Sequence, residues 1–584
     1  MEGIKELRNS VTDEAARASE VTIKRRALAG ERARAWLYFG VGAVVIGLVF
    51  WWLQFSTRAV CCGDYDGYYH IRWSQLLWEG IKRGQFPPAF TWLPLTTLNA
   101  QDYVDHHLLF HLLQIPFTWF GDIRLGAKVS AALFASLAVL SCFWLVLRHR
   151  ISYPFIWLFA LLGCSAPFLY RMNMAKAMSV SIVLLVIGIQ LLFTRRYVWL
   201  LPLAFVFTLT YDMFVLLAGA AALWTAVRLW SERRFEWQPL TWTLAGVAAG
   251  LVINPYFPEN VQLLVSHALM KVRATDYSVA VGNEWYPYES WDFLRNCFIA
   301  FAAMFAGYIA FRWDERERDE IQRALFFLVF STGLLIVNAR WRRFAEYWPP
   351  FAVLFAAFSL QLLFISARAK FNELPADVLD DLQPFLDQHE RAETAEGTKQ
   401  QELWRIGVAS FVGLLLAISM IFTIRHEARE IAESAPPEEY RAAAEWLRQN
   451  VPPGEMIFNT DWDDFPKLFY YDPTHAYVTG LDPTYLYDRD RELSKLYEDI
   501  TLGREQNPGP PIRERFGARY VFTDNAEVHN DFYENAMNSG WFEEVYTDKD
   551  TTILFIRDRQ AATPPADDEE GTEQEAAPDS NGSR

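Results

Sequence analysis

Cysteine is scarce, with five in 584 residues and no spacing that would frame a disulfide scaffold. Cys142, Cys164 and Cys297 fall in or beside apolar segments, where cysteine packs as a small hydrophobe. Cys61 and Cys62 are adjacent and have no evident partner, which speaks against a metal or redox centre there. A glycine-rich phosphate loop, a zinc motif and a Ser-His-Asp arrangement are also missing. No internal repeat is visible, which argues against the doubled halves of many transporters. Apolar residues are not scarce: the chain is 52% hydrophobic and 16% aromatic, above the habit of a soluble globular protein and in keeping with aromatic crowding at membrane interfaces. The net charge of -16 comes from acids concentrated outside the apolar runs, and no nucleic-acid partner is expected.

Eleven apolar runs are expected to span a membrane, at about 35–57, 126–147, 152–170, 178–194, 197–211, 213–229, 239–255, 296–312, 324–338, 345–366 and 404–424. The run Leu108 to Phe120 is too short to cross and carries a histidine, so it reads as an interfacial helix. The N-terminal stretch is polar and amphipathic rather than a signal peptide, so the first run is expected to stay as an anchor. Basic residues set the orientation. Arg25, Arg26, Arg32 and Arg34 precede the first run, and Arg148, Arg150, Arg195, Arg196, Arg228 to Arg234, Arg312 to Arg323, Arg368 and Lys370 fall on that same side. The positive-inside rule makes it the cytoplasmic side. The chain is then a multi-pass protein of the inner (cytoplasmic) membrane, with its N-terminus inside and its C-terminal domain outside. Arg340, Arg342 and Arg343 fall on the outer side, against the rule, and are candidates for a role of their own.

Four regions follow: a cytoplasmic segment over 1–34, a polytopic α-helical domain over 35–424, an extracytoplasmic α/β domain over 425–557, and an acidic tail over 558–584 too polar to fold. In the α/β domain a helix beginning near Tyr440 is stopped by Val451-Pro-Pro-Gly. Strands are predicted at Met456-Ile-Phe, Ala476-Tyr-Val, Arg519-Tyr-Val-Phe-Thr and Thr552-Ile-Leu-Phe-Ile, forming a mostly parallel sheet.

Candidate chemistry lies in the outer loops. Asp64-Tyr-Asp66-Gly-Tyr68-Tyr69-His70-Ile-Arg72 offers two carboxylates and an imidazole, a ligand set for a divalent ion that could neutralise a lipid-linked diphosphate. The same residues also read as a solvated turn. Glu284, in Gly282-Asn-Glu284-Trp-Tyr, is either an exposed loop acid or a carboxylate held over the membrane near Asp66. Arg343 lies deeper in its pattern than Arg340, whose position suits snorkelling to headgroups, and is a natural phosphate partner. Trp462, Asp463 and Asp464 follow a strand, where binding loops are common, and also fit a simple N-capped turn. Val478-Thr-Gly-Leu-Asp482-Pro-Thr-Tyr485 is another strand-to-loop transition.

Together these residues resemble the catalytic subunits of oligosaccharyltransferases, integral-membrane glycosyltransferases of the type C (GT-C) fold. Asp66-Gly-Tyr68-Tyr69-His70-Ile-Arg72 looks like the motif of that family's first outer loop. Val281-Gly-Asn-Glu284 is similar to its fifth-loop signature, and Arg343-Phe-Ala before Pro349-Pro350 to its Arg-Phe-Ala pair entering a span. Asp461-Trp462-Asp463-Asp464-Phe is a loose counterpart of the Trp-Trp-Asp motif that opens its soluble domain. Two departures stand out. The family's second-loop acid pair is absent after Arg171, where Met-Asn-Met-Ala-Lys176 stands instead, and the soluble motif lacks its first Trp and its Tyr-Gly.

The resemblance implies an enzyme that moves a sugar or oligosaccharide from a polyprenyl-phosphate or diphosphate carrier to an extracytoplasmic acceptor. Asp66 and Glu284 would be catalytic, and Asp66, Asp64 and His70 would hold Mg²⁺ or Mn²⁺. Arg343, Arg171 and Arg72 would bind the donor phosphate, and Trp462, Asp463 and Asp464 the acceptor. The partners expected are this lipid-linked sugar donor and membrane lipids. A second enzymatic reading takes a monophosphate-linked monosaccharide, with Asp64 or Asp66 as general base and no metal. The non-enzymatic alternative is a transporter or a scaffold for envelope polysaccharide. Polar groups at a bilayer surface favour a shared wet cavity, so Asp66, Arg171, Glu284 and Arg343 are expected to line one pocket. The orientation predicts that a reporter fused after Arg425 behaves as exported and one after Lys370 as cytoplasmic; the reverse at both sites would remove the shared outer face on which these site expectations stand.

Overall fold

The computed structural model describes residues 30, 32–62, 65–272, 282–313, 318–372 and 390–558. Asp64 and the acidic tail beyond Asp558 lie outside the described residues. Each of the eleven apolar runs falls on a helix. Among the described residues five helices are long and apolar enough to cross a membrane: Arg32–Gln54, Ile123–Arg148, Asp212–Glu232, Arg318–Arg340 and Leu403–Ala432. Two bent pairs, Pro154–Gly163 with Ala166–Asn173 and Ser290–Asn296 with Phe298–Ala310, bring the number to seven if each is one span. The helices at Met178–Phe193, Tyr197–Thr210, Gln238–Ile253 and Trp348–Leu363 are apolar but shorter, 10–17 residues each. So the protein is a multi-pass helical membrane protein, and a topology of eleven spans is a proposal built on these lengths.

The run 152–170, expected as one continuous helix, bends by 78°. Ser165 restarts the chain there: its Oγ accepts the Phe168 amide at 3.2 Å, with a proline at the start of the new helix. Both are strong helix-start signals. Close packing elsewhere relies on a glycine. A Cβ on Gly126 would stand 1.9 Å from the Phe117 carbonyl oxygen, so only glycine lets Ile123–Arg148 lie against the Ile115–Trp119 turn. Basic loops read as one side do meet: Arg195 pairs with Asp319 at 3.2 Å, and Arg32, Arg34, Arg148 and Arg150 surround one recess. Cys61 and Cys62, which the sequence left unpartnered, are bonded to each other, while Cys142, Cys164 and Cys297 are free and buried.

The C-terminal domain opens with Arg441–Asn450, where the sequence predicted a helix. Its sheet comprises β1 (Met456–Asn459), β2 (Ala476–Tyr477), β3 (Tyr520–Asp524), β4 (Phe542–Thr547) and β5 (Thr551–Ile556), in the order β2-β1-β3-β5-β4. β1 runs parallel to β2 and β3, but β5 is antiparallel to both β3 and β4. The sheet is therefore mixed rather than mostly parallel. Its antiparallel half is a hairpin, closed by Asp548 Oδ1, which accepts the Asp550 and Thr551 amides at 2.9 Å each. β4 escaped prediction because it is an edge strand with exposed Glu543 and Glu544, and such charges blunt a free edge while hiding the strand pattern.

The domain is not tethered loosely. Phe469 meets Trp92 and Phe90, from the stretch between the first two spans, at ring distances of 5.0 and 6.2 Å, and Tyr69 lies 6.5 Å from Phe465. Trp92 adds two hydrogen bonds, donating through Nε1 to the Pro473 carbonyl at 2.7 Å and accepting the Tyr477 amide at 2.8 Å. This aromatic seam buries Trp73, Phe90, Phe465 and Phe469 completely. Phe469→Ala is expected to remove about 3–5 kcal/mol, seen as a lower thermal midpoint in detergent and earlier proteolytic cutting between the helical and α/β domains. Unchanged protease resistance would show that the seam does not hold them together.

Candidate active site

Asp66 opens a helix, Asp66–Lys82, where a carboxylate in the first turn suits the helix dipole. His70, one turn on, shares its face. Both line a cavity of about 120 Å³ at the junction of the helical bundle and the α/β domain. Arg171, Glu284 and Arg343 line it too, so the side chains expected to converge from four separate loops do so.

Three elements build the polar wall. Arg171 comes from Ala166–Asn173, redirected by the bend at Ser165. Glu284 sits in the short turn Asn283–Trp285, and Arg343 in the 3-10 turn Arg342–Glu346. Glu284 bridges the two arginines, accepting from Arg171 Nη2 at 2.8 Å and from Arg343 Nη1 at 2.7 Å. Glu346 takes the Arg171 Nε at 2.8 Å. It lies three residues after Arg343, which a 3-10 turn places on the same side, and this was the signal the sequence reading passed over. Arg343 also donates to the Tyr211 hydroxyl at 2.6 Å and stacks 5.2 Å from the Trp285 ring centre. Arg342 is tied to the Pro287 carbonyl instead, at 3.1 Å.

Lys176 stands where the resemblance would place acids, and its Nζ lies 2.6 Å from Asp66 Oδ2. With Asp64 outside the described residues, the described part of the expected ligand set does not fit an ion. A metal would need Asp66 oxygens and neighbouring ligands, yet an ammonium already compensates that carboxylate. His70 turns Nδ1 to His111 Nε2 at 2.7 Å. Among the described residues no group of three or more His, Cys, Asp or Glu is arranged to hold a metal.

The remaining expected residues lie elsewhere. Arg72 is absent from the cavity wall and donates to Gln75 at 2.7 Å. Six residues beyond Asp66, at roughly 100° per residue, it lies about 120° around the helix, on the side where Tyr68 packs against Tyr470. Trp462, Asp463 and Asp464 form a 3-10 turn capped by Asp461, whose side chain accepts the Asp463 amide at 3.0 Å. This is the capped turn the sequence offered as the plainer reading. Asp464 is buried, and burial, followed by the Asp524 and Asp461 charges, pushes its carboxyl well above the ordinary 3.8. Trp462 reaches toward the segment that carries Glu284, with its ring 3.9 Å from where a Gly282 Cβ would stand. The α/β domain reaches the cavity through Leu481, Asp482 and Tyr485, the second strand-to-loop transition noted in the sequence. Leu481 has φ of 68°, a left-handed conformation that costs about 1–3 kcal/mol and tends to mark functional loops.

A segment the sequence reading did not single out supplies the rest of the wall. Tyr103, Asp105, His106 and His107 face the same space, with Tyr211 and Asp212. Three histidines and an aspartate within Asp105-His-His-Leu-Leu-Phe-His111 were the available signal.

No protein-family model matches the chain, and no curated protein sequence matches it. Solved structures do resemble it. The Archaeoglobus fulgidus oligosaccharyltransferase tethered to an acceptor peptide with an NVT sequon superposes with TM-score 0.53 at 12% identity, over 88% of this chain and 74% of that one. The same enzyme with Zn and sulfate gives 0.53 at 12%, over 83% and 68%. ArnT from Cupriavidus metallidurans, bound to undecaprenyl phosphate, gives 0.51 at 14%, over 88% and 97%. The chain thus has the fold shared by these type C glycosyltransferases.

The Lys176–Asp66 pair predicts that purified protein titrated with Mn²⁺ shows no stoichiometric site by electron paramagnetic resonance. Lys176→Asp, which restores an acid beside Asp66, is expected to gain one. A stoichiometric Mn²⁺ site in the wild type that disappears in Asp66→Asn would show that the site takes a metal after all.

Proposed function

We propose that this protein is a membrane glycosyltransferase that takes a sugar from a polyprenyl-phosphate carrier and works with fixed cations in place of a metal ion. The observation that carries the reading is the cavity itself: Lys176, Arg171 and Arg343 converge there with Asp66, on a fold shared with a lipid-phosphate-binding and a peptide-glycosylating enzyme. In glycosyl transfer the bond from the anomeric carbon to the carrier phosphate breaks, and charge develops on the departing oxygen. Preorganised cations aimed at that charge lower the barrier most in a water-poor site.

Arg343 and Arg171 present guanidinium forks suited to phosphate oxygens. Glu284 bridges them and sets their spacing, and a phosphate entering beside Glu284 would share their unused donors. Lys176, held by Asp66, adds a point charge. One ammonium balances less charge than a divalent ion, so a monophosphate leaving group suits this set better than a diphosphate. Asp66 faces the same cavity and orients the acceptor's proton-bearing atom. The acceptor enters under Leu481, Asp482 and Tyr485, with Trp462 and Asp463 at the edge beside Gly282. A transporter would instead keep its ionisable groups at mid-membrane depth, whereas these sit at span ends under a packed domain.

Turnover of a panel of farnesyl-phosphate-linked sugars, read as released farnesyl phosphate, tests the reading. Lys176→Met and Asp66→Asn are each expected to lose about a hundredfold or more, the scale of one lost electrostatic group, while chelation with EDTA leaves the wild type unchanged. Loss of turnover on chelation with recovery in Mn²⁺ would overturn the fixed-cation mechanism. Wild-type rates in both variants would overturn the site.

A further inference from the structure

Behind the cavity wall lies a chain of buried polar groups that phosphate binding does not use. His70 Nδ1 is 2.7 Å from His111 Nε2, and His111 Nδ1 lies 2.8 Å from Asp105 Oδ2 and 2.9 Å from Oδ1. Asp105 is fixed from two further sides: Trp73 Nε1 donates to it at 3.0 Å, and so does the His107 amide. Two helices carry the histidines of this polar chain, Asp66–Lys82 and Leu108–Gln114, pinned together by Ser74 Oγ donating to Gln114 at 3.2 Å, and Asp105 lies just before the second. His70, His111 and Asp105 are at most 4% exposed. The remaining ring nitrogen of His70, Nε2, has no partner among the described residues, and His70 lines the cavity.

Hydrogen-bond direction then fixes the tautomers. An ionised Asp105 only accepts, so His111 carries its proton on Nδ1. In neutral His111, Nε2 is an acceptor, so His70 donates to it from Nδ1. That leaves a bare lone pair on His70 Nε2, the nitrogen left for the cavity.

We propose that Asp105, His111 and His70 form a proton relay ending in the cavity, with His70 as the general base for the acceptor and His111 and Asp105 as positioning residues. The inference rests on the glycosyl-transfer reading. In the step, the acceptor O–H gives its proton to His70 Nε2 as the acceptor oxygen bonds to the anomeric carbon. The bond from that carbon to the phosphate oxygen breaks, and its electron pair leaves on the phosphate. As Nε2 takes the proton, His70 passes its Nδ1 proton to His111, so the positive charge comes to rest on His111 beside Asp105. The relay keeps that charge away from Lys176, which an imidazolium at His70 would oppose. It follows the logic by which a buried aspartate orients and steadies a catalytic histidine.

The surroundings agree. Burial holds the His70 imidazole well below its ordinary 6.5, and the Lys176 charge acts in the same direction. For Asp105 burial pushes upward, but the hydrogen bonds from His111 and Trp73 pull the other way and the carboxyl stays below 3.8. Asp66 and Tyr69 on its own helix, His106, His107 and His111 on the next segment, and Lys176 surround His70. Arg171, Arg343, Glu284, Asp482 and Tyr485 face it across the cavity.

Solid-state NMR of the full-length protein, labelled with nitrogen-15 at histidine and held in lipid nanodiscs, reads the tautomers directly, with resonances assigned through His70→Gln and His111→Gln. In mildly alkaline buffer the wild type is expected to show His70 protonated on Nδ1 and bare on Nε2. On acidification His70 Nε2 gains a proton. Asp105→Asn keeps the shape but offers an amide N–H to His111 Nδ1, which turns both tautomers around and leaves His70 Nε2 protonated toward the cavity. With the farnesyl-phosphate sugars, His70→Gln and Asp105→Asn are each expected to lose about a hundredfold or more, as for a missing general base. Rates in the wild type should fall as acid fills His70 Nε2. A protonated His70 Nε2 in the alkaline wild type, or tautomers unmoved by Asp105→Asn, overturns the relay, as does wild-type turnover with an unchanged pH profile in either variant. If the wild type turns over no sugar in the panel, the glycosyl-transfer reading fails alone, and the tautomers still decide the relay.

Discussion

Glu284 is held between two guanidinium groups, and the site's geometry depends on that bridge. Arg171, Glu284 and Arg343 come from three stretches of chain, and Glu346 closes the network from behind Arg171. The side chains of both arginines are only 11 and 15% exposed. Buried charges of this kind are costly unless paired and hydrogen-bonded on most sides, so removing any one member strands the others. The same constraint explains the helix bend at Ser165. Had Pro154–Gly163 run straight on through Asn173, Arg171 would not leave the bundle at the angle that brings it to Glu284.

The pairing of Asp66 with Lys176 sets a fixed cation beside the carboxylate that the resemblance would give to a metal. The resemblance to oligosaccharyltransferases rested on loop order and on the motif around Asp66, and the shared fold at 12% identity fits that order. The ligand set is a separate matter. A lysine beside Asp66 carries the opposite charge to an acid that would help hold a divalent ion, and it sets a cation 2.6 Å from that carboxylate. Electrostatic stabilisation of a leaving phosphate depends on where positive charge sits more than on which atom carries it.

Legibility in the sequence followed physical range. Long apolar runs are local and strongly constrained by the bilayer, so all eleven were found on helices, and the helix ending at Asn450 before Val451-Pro-Pro-Gly was equally plain. Arg343 was visible because it broke the charge rule of its side. Arg72 was misplaced because the motif around Asp66 was read as a loop. As a helix it turns Arg72 away from Asp66 and toward Tyr470. Lys176 was seen only as a missing acid, since nothing local shows that it reaches a carboxylate more than a hundred residues away. Asp105 and His111 were hidden for a related reason: a relay is defined by which ring nitrogen faces which partner, and that depends on two helices docking. β4 was hidden by its own exposed glutamates.

Under the glycosyl-transfer proposal the α/β domain would matter chiefly as a cover against water. A glycosyl phosphate beside a general base is equally open to attack by water, so transfer rather than hydrolysis needs a closed site. Leu481, Asp482 and Tyr485 form the cover, and the strained backbone at Leu481 is sustained by what surrounds it: Asp482 Oδ1 accepts from the Thr484 amide and hydroxyl at 2.9 and 2.6 Å, and the Tyr485 carbonyl accepts the Thr97 amide at 3.1 Å. That last bond comes from Thr97, on the same stretch that carries Asp105 and the Trp92 seam. Cover, relay and domain contact are therefore parts of one continuous packing unit. A substitution that loosens the aromatic seam acts on the proton-accepting side of the cavity before it acts on the arginines, which are anchored in the bundle.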